Sequence, residues 1–345
     1  MTRVGFGTSG RHRTRWLSIV LGSVMASAVG GPALAAAPHD WVHRHPATHP
    51  GVHGYQSMAY DAQHHQMIMF GGYDGANLLN ETWNWTGSTW KKLSPAKRPS
   101  IRDSALMAYD ATHHQLILFG GAGASGALGD TWRWTGTTWT KLTPAHHPAA
   151  RWGSAFVYDG ARHKLVLFGG FDGINGFADT WTWSGSDWRL RSPHHHPDSR
   201  AGAGIAYDSV HQRVVLFGGY GLAPNLADTW LWDGSDWTLV TPAHSPPGRI
   251  GSQLTYDPVI KRALLFGGLV YTGVFPMAAM ADTWTWNGTD WKMATPAHSP
   301  PARAYGRVVY DPRSSSDVAF GGVGTVTDLS FNAVPRSDTW VYKAP

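Results

Sequence analysis

The sequence predicts an all-β fold: a six-bladed β-propeller, a ring of four-stranded sheets closed by an outer strand from the N-terminus. Three observations carry this. A Tyr-Asp pair recurs at Tyr60, Tyr109, Tyr158, Tyr207, Tyr256 and Tyr310, at intervals of 49 residues and, at the end, 54. Ten residues after each tyrosine stands Phe-Gly-Gly, at Phe70, Phe119, Phe168, Phe217, Phe266 and Phe320. The sixth unit lacks its final strand, yet Asp40-Trp41 precedes Tyr60 by the same 19 residues that separate each unit-closing tryptophan from the next Tyr-Asp. Such a period marks a repeat architecture. Closing it hides two sheet edges that an open array would expose.

The elements follow in chain order. Residues 1–35 read as a secretory signal peptide. Arg3, Arg11, Arg13 and Arg15 come first, then an apolar run from Trp16, then Gly31-Pro32-Ala33-Leu34-Ala35 with small residues placed for cleavage. The run is short for a membrane span, which needs ~20 residues. No later segment is long and apolar enough to hold the chain in a membrane, so a secreted or extracytoplasmic protein is expected. Residues 36–345 make the propeller. In each unit strand a ends at Tyr-Asp, and a polar turn leads to strand b, such as 164–168. A Gly-Gly-led loop then reaches strand c, which begins at Glu81, Asp130, Asp179, Asp228, Asp282 or Asp338 and continues Thr-Trp. A glycine-centred hairpin leads to strand d at Trp90, Trp139, Trp188, Trp237 or Trp291. Tryptophans at fixed places in each repeat imply packing between blades.

Composition narrows the chemistry. Hydrophobic residues are 42% and charged residues 15% of the 345, which rules out a disordered chain. There is no cysteine, which excludes disulfides, thiolate metal sites and cysteine nucleophiles. Without residues 1–35 the chain carries 24 basic against 23 acidic residues. Net charge therefore gives no case for nucleic acid as a partner.

The Phe-Gly-Gly doublet, the repeat period and the downstream tryptophan resemble kelch repeats across residues 40–345. They look most like secreted bacterial kelch proteins with Asp-Thr-Trp-x-Trp-x-Gly-x-x-Trp blades. Trp134 and Trp139 are five residues apart, so the outer hairpin is shorter than in many kelch units. A fold does not by itself give a function. The reading adopted is an extracytoplasmic binding or interaction module for a protein or carbohydrate ligand, anionic in character. The alternative is a carbohydrate-active enzyme resembling sialic-acid mutarotases, which are extracytoplasmic six-bladed kelch proteins. That enzyme would use a carboxylate acid/base near an arginine, for which Asp103 beside Arg102 is the candidate. Kelch-type copper-radical oxidases need a cysteine, which this chain lacks. Gly123-Ala124-Ser125-Gly126-Ala127 fails as a serine-nucleophile elbow at its last place.

The expected site lies on the face bearing the b–c and d–a loops. Seven residues before each Tyr-Asp sits a basic residue: His53, Arg102, Arg151, Arg200, Arg249 and Arg303. Two readings stay open. The ring binds an anion through guanidinium forks, or each member pairs with the carboxylate opening strand c. Positions that break the repeat add Tyr55, Asp103, Trp152, Ile250 and Tyr305. Gln253 and Arg307 stand where other units have Ser57, Leu106, Ala155 and Gly204. Aromatics beside cations suit sugar or peptide binding. The long b–c loops of units five and six, with Tyr271, Phe275, Met277, Met280 and Phe331, are either a partner surface or a cover for their own blades. Histidines at equivalent places on successive blades lie too far apart for one shell, where Zn–N is ~2.1 Å. Neither metal nor cofactor is expected.

Overall fold

The aspartate of each Tyr-Asp pair turns the chain. Asp61 Oδ1 accepts the backbone N–H groups of Gln63 and His64 at 3.1 and 3.3 Å, and His65 then takes a left-handed φ of 52°. The same local turn recurs at Asp110, Asp159, Asp208 and Asp257. Strands a and b therefore meet antiparallel, with Tyr60 opposite Met67 in the first blade. The computed structural model describes residues 39–271, 277–327 and 334–344. The expected signal peptide, Phe275 and Phe331 lie outside them.

The described residues form six four-stranded sheets, two two-stranded ribbons and no helix. In the third blade the strands run Ala155–Asp159, Lys164–Phe168, Thr180–Trp183 and Trp188–Arg191, in spatial order from axis to rim. Strand b reads as a continuous apolar run because both of its faces are covered by neighbouring blades. Leu165, Leu167 and Phe168 are fully buried. The last sheet is assembled from both ends of the chain. Arg307–Asp311, Ser316–Phe320 and Thr339–Lys343 are followed outward by Asp40–Arg44, with Trp41 opposite Tyr342.

The repeated aromatics stitch each blade to the one before it. Trp139 Nε1 donates to Thr82 Oγ1 of the preceding blade at 3.0 Å, and its ring packs on Phe70 at 5.4 Å. Trp188, Trp237, Trp291, Trp41 and Trp90 repeat that hydrogen bond to Thr131, Thr180, Thr229, Thr283 and Thr339. The circuit returns to its start. Phe-Gly-Gly is needed at the same seams. A Cβ at Gly120, whose φ is +65°, would sit 2.6 Å from the Arg151 carbonyl oxygen of the next blade. Only glycine allows that approach.

The described parts of the long b–c loops of units five and six pack on each other as well as on their blades, with Met277 and Val326 exchanging backbone hydrogen bonds. Leu269, Met277, Val323 and Val326 are buried in one cluster with Ile250 and Ala304.

Candidate functional site

Five of the six basic residues are structural. Arg151 donates through Nη1 and Nη2 to both oxygens of Asp179, at 2.5 and 3.0 Å, and also to the Gly169 and Ala149 carbonyls. Arg102, Arg200, Arg249 and Arg303 repeat the fork on Asp130, Asp228, Asp282 and Asp338. Each is at most 2% exposed. Burial alone would raise the Asp130 pKa; the Arg102 hydrogen bonds and charge outweigh it and hold it below the usual value. Of the two readings of the ring, the observed contacts are those of the second. These guanidiniums join strand c to the start of strand a.

His53 departs from the pattern. Its Nδ1 bonds the Gly51 carbonyl at 2.9 Å, its buried Nε2 has no partner, and burial pushes its pKa down. Glu81 turns instead to Lys92 and Trp83.

Two residues beyond each basic residue the blades meet at the axis. Tyr55, Ser104, Gly153, Gly202, Gly251 and Tyr305 all have φ between 47° and 66°. Each backbone N–H donates to the equivalent carbonyl of the preceding blade: Ser104 to Tyr55, Gly153 to Ser104, Gly202 to Gly153, Gly251 to Gly202, Tyr305 to Gly251 and Tyr55 to Tyr305, at 2.7 to 3.3 Å. This closed ring of hydrogen bonds draws the loop-face mouth tight, since backbones joined this way lie only about 5 Å apart. The Tyr305 ring lies over Gly251, where an added Cβ would come within 2.8 Å of it, and packs on Tyr55 at 4.6 Å. Trp152 sits outside the ring, edge-on to Phe171 at 5.5 Å. Asp103 pairs through its backbone with Ala122, and burial raises its carboxyl pKa to about 6. Its sequence neighbour Arg102 bonds Asp130.

Beneath the ring lies the axial channel, with a volume of ≈ 300 Å³. Its walls are strand a side chains, including Met58, Met107, Phe156, Ile205, Leu254 and Val308. Tyr109, Tyr158, Tyr207 and Tyr256 line it towards the a–b turns. At the loop-face end Ser154, Ser252, Gln253 and Arg307 make its polar lining. Gln253 is 3% exposed and neither amide atom has a partner; Ser252 Oγ has none either. The Gln253 amide lies against the backbone just before Arg307, since a Cβ at Gly306 would be 3.0 Å from its Nε2. Arg307 makes one weak contact, Nη1 to the Gly306 carbonyl at 3.3 Å, and burial lowers its pKa to about 10. Among the described residues no carboxylate pairs with it. Sequence reading marked Gln253 and Arg307 as breaks in the repeat but missed Ser252. Its position holds Gln56, Ala105, Ser154, Ala203 and Gly306 elsewhere, so one more small polar residue gives no signal.

The fold has a solved counterpart. The chain is similar in fold to the structure of YjhT. The TM-score is 0.61 at 18% identity, over 82% of this chain and 95% of that one. No protein-family model matches the sequence, and no curated protein matches it. Among the described residues no group of three or more histidines and carboxylates could hold a metal ion, and no helix is long and apolar enough to cross a membrane.

Proposed function

We propose that this protein is an exported kelch-type propeller that acts as a binding module, with a small ligand held in the axial channel at its loop-face end. The observation that carries the reading is Gln253, buried with both amide atoms unpartnered. Burying such a group without partners costs about 1–3 kcal/mol. A ligand that hydrogen-bonds it recovers that cost. Arg307 adds a cation, while Asp103, Trp152 and Tyr305 shape the rim outside. Export rests on the order of residues 1–35 and is tested by the mass of the mature protein, expected to begin at Ala36.

Binding is tested by thermal shift of the purified protein with neutral sugars, acidic sugars, organic acids and acidic peptides at pH 5 and 7. A ligand at 100 times its Kd adds ~2.7 kcal/mol of stability. The expected result is a shift with one ligand class that Gln253→Leu abolishes. A flat panel sinks the small-ligand reading and favours a protein partner on the loop face, where Ile174 and Leu222 are 86% and 84% exposed.

A second reading, an anomerase resembling sialic-acid mutarotases, is supported by Asp103. A carboxyl with a pKa near 6 can give and take a proton near neutral pH. It expects faster anomer exchange of an acidic sugar by NMR, lost in Asp103→Asn with folding intact.

A further inference from the structure

We infer that the channel ligand is an amphipathic monocarboxylate, an apolar body bearing one anionic head, held head-first against Arg307, Gln253 and Ser252. This rests on the binding-module reading and narrows it.

The charge count comes first. Arg307 is the one cationic side chain in the channel wall, and the wall holds no carboxylate. A single negative charge neutralises it, whereas a dianion would leave one charge in a low-dielectric passage. Head geometry comes second. A carboxylate accepts from the guanidinium fork, from Gln253 Nε2 and from Ser252 Oγ, which are the donors left without good partners. The walls come third. Beyond the polar end, Met58, Met107, Phe156, Ile205, Leu254 and Val308 offer hydrocarbon. A polyhydroxylated body would lose its water there without finding partners. Direction follows. The loop-face mouth is drawn tight by its ring of hydrogen bonds and crossed by Tyr305, so the ligand enters between the tyrosines at the a–b turn face with its head leading.

The test is calorimetric titration of the whole protein with octanoate, octan-1-ol and N-acetylneuraminate, all below any micellar concentration. Octanoate is expected to bind at least tenfold more tightly than octan-1-ol. Arg307→Gln is expected to remove that advantage and leave octan-1-ol unchanged. If Arg307→Gln does not fold, the octanoate-to-octanol ratio on the unaltered protein still decides. Equal binding of the two overturns the head-group assignment. Binding of N-acetylneuraminate without octanoate overturns the amphipathic ligand and leaves the binding-module reading standing. Binding of none overturns the inference and the channel site together.

Discussion

Asp317 lies in strand b of the sixth blade, where the other five blades carry Met67, Leu116, Leu165, Val214 and Ala263. It is fully buried, neither oxygen meets a donor, and it faces Asp257. Burial, then the Asp257 charge, pushes its pKa well above the usual value. Restoring an apolar side chain with Asp317→Leu is expected to stabilise the protein by about 1–3 kcal/mol. Its pH dependence has a definite sign. A raised folded-state pKa means the native state holds the proton more tightly, so this group's contribution is fully present below about pH 4 and is lost as pH rises through the raised value. The gain from Asp317→Leu should therefore be larger at pH 7 than at pH 4 in urea titrations. An equal gain at both would refute the buried-acid account. The repeat register shows Asp317 as a polar break, but only the structure shows that neither of its oxygens finds a donor. It sits inside a strand whose packing is read from its neighbours, whereas Gln253 and Arg307 occupy a channel position where the repeat itself varies.

Strands, hairpins and turns were legible almost residue by residue, because each seam uses the same few residues: glycine where two backbones approach, tryptophan where threonine waits opposite. The arginine ring was legible as a ring, and the Asp130-to-Asp338 series as its natural partners. The channel cluster was not, because it depends on which blades stand next to each other at the axis and on which side chains find no partner. Two predictions belong at this scale. Arg151→Met leaves Asp179 without its fork; with the Asp179 side chain 28% exposed, the loss should be about 3 kcal/mol, the low end for a broken buried pair. Adding Asp179→Leu should recover part of it. Linker histidines clasp the next blade as well. His146, His195 and His244 donate their backbone N–H groups to Asp187, Asp236 and Asp290 at 2.7 to 2.8 Å. Side-chain hydrogen bonds from the same histidines hold these carboxyls below their usual pKa. A lowered pKa gives stability that is present above the ordinary carboxylate value and lost as pH falls through the lowered one. Protection of the His146, His195 and His244 amides, measured against their intrinsic exchange rates, should therefore stay high at neutral pH and fall together in acid. Unchanged protection in acid would show the clasps to be incidental.

Across the whole molecule, the outer strand of the last blade comes from the opposite end of the chain. Trp41 is 1% exposed, bonds Thr283 of the preceding blade and packs on Phe266 at 5.0 Å. Trp41→Ala should cost about 3–5 kcal/mol. Deleting 40–44 should uncover the edge of Thr339–Lys343 and shift the elution profile of the protein towards aggregates; an unchanged profile after deletion would refute the role of that strand. The ring at the loop-face mouth has a further consequence. Six near-identical units could be copied again by simple duplication, and nothing in the sheets forbids a seventh. The axial hydrogen bonds set what that would cost. Every bond points the same way around, from each Tyr, Ser or Gly to the one before it, and the loop shuts at a circumference fixed by the reach of one N–H. A seventh member would widen the circle, change the angle between every pair of neighbours and alter the bore beneath. Blade number in this protein is thus counted by backbone, at the axis, and a lineage that gained or lost a repeat would have to rebuild its channel as well.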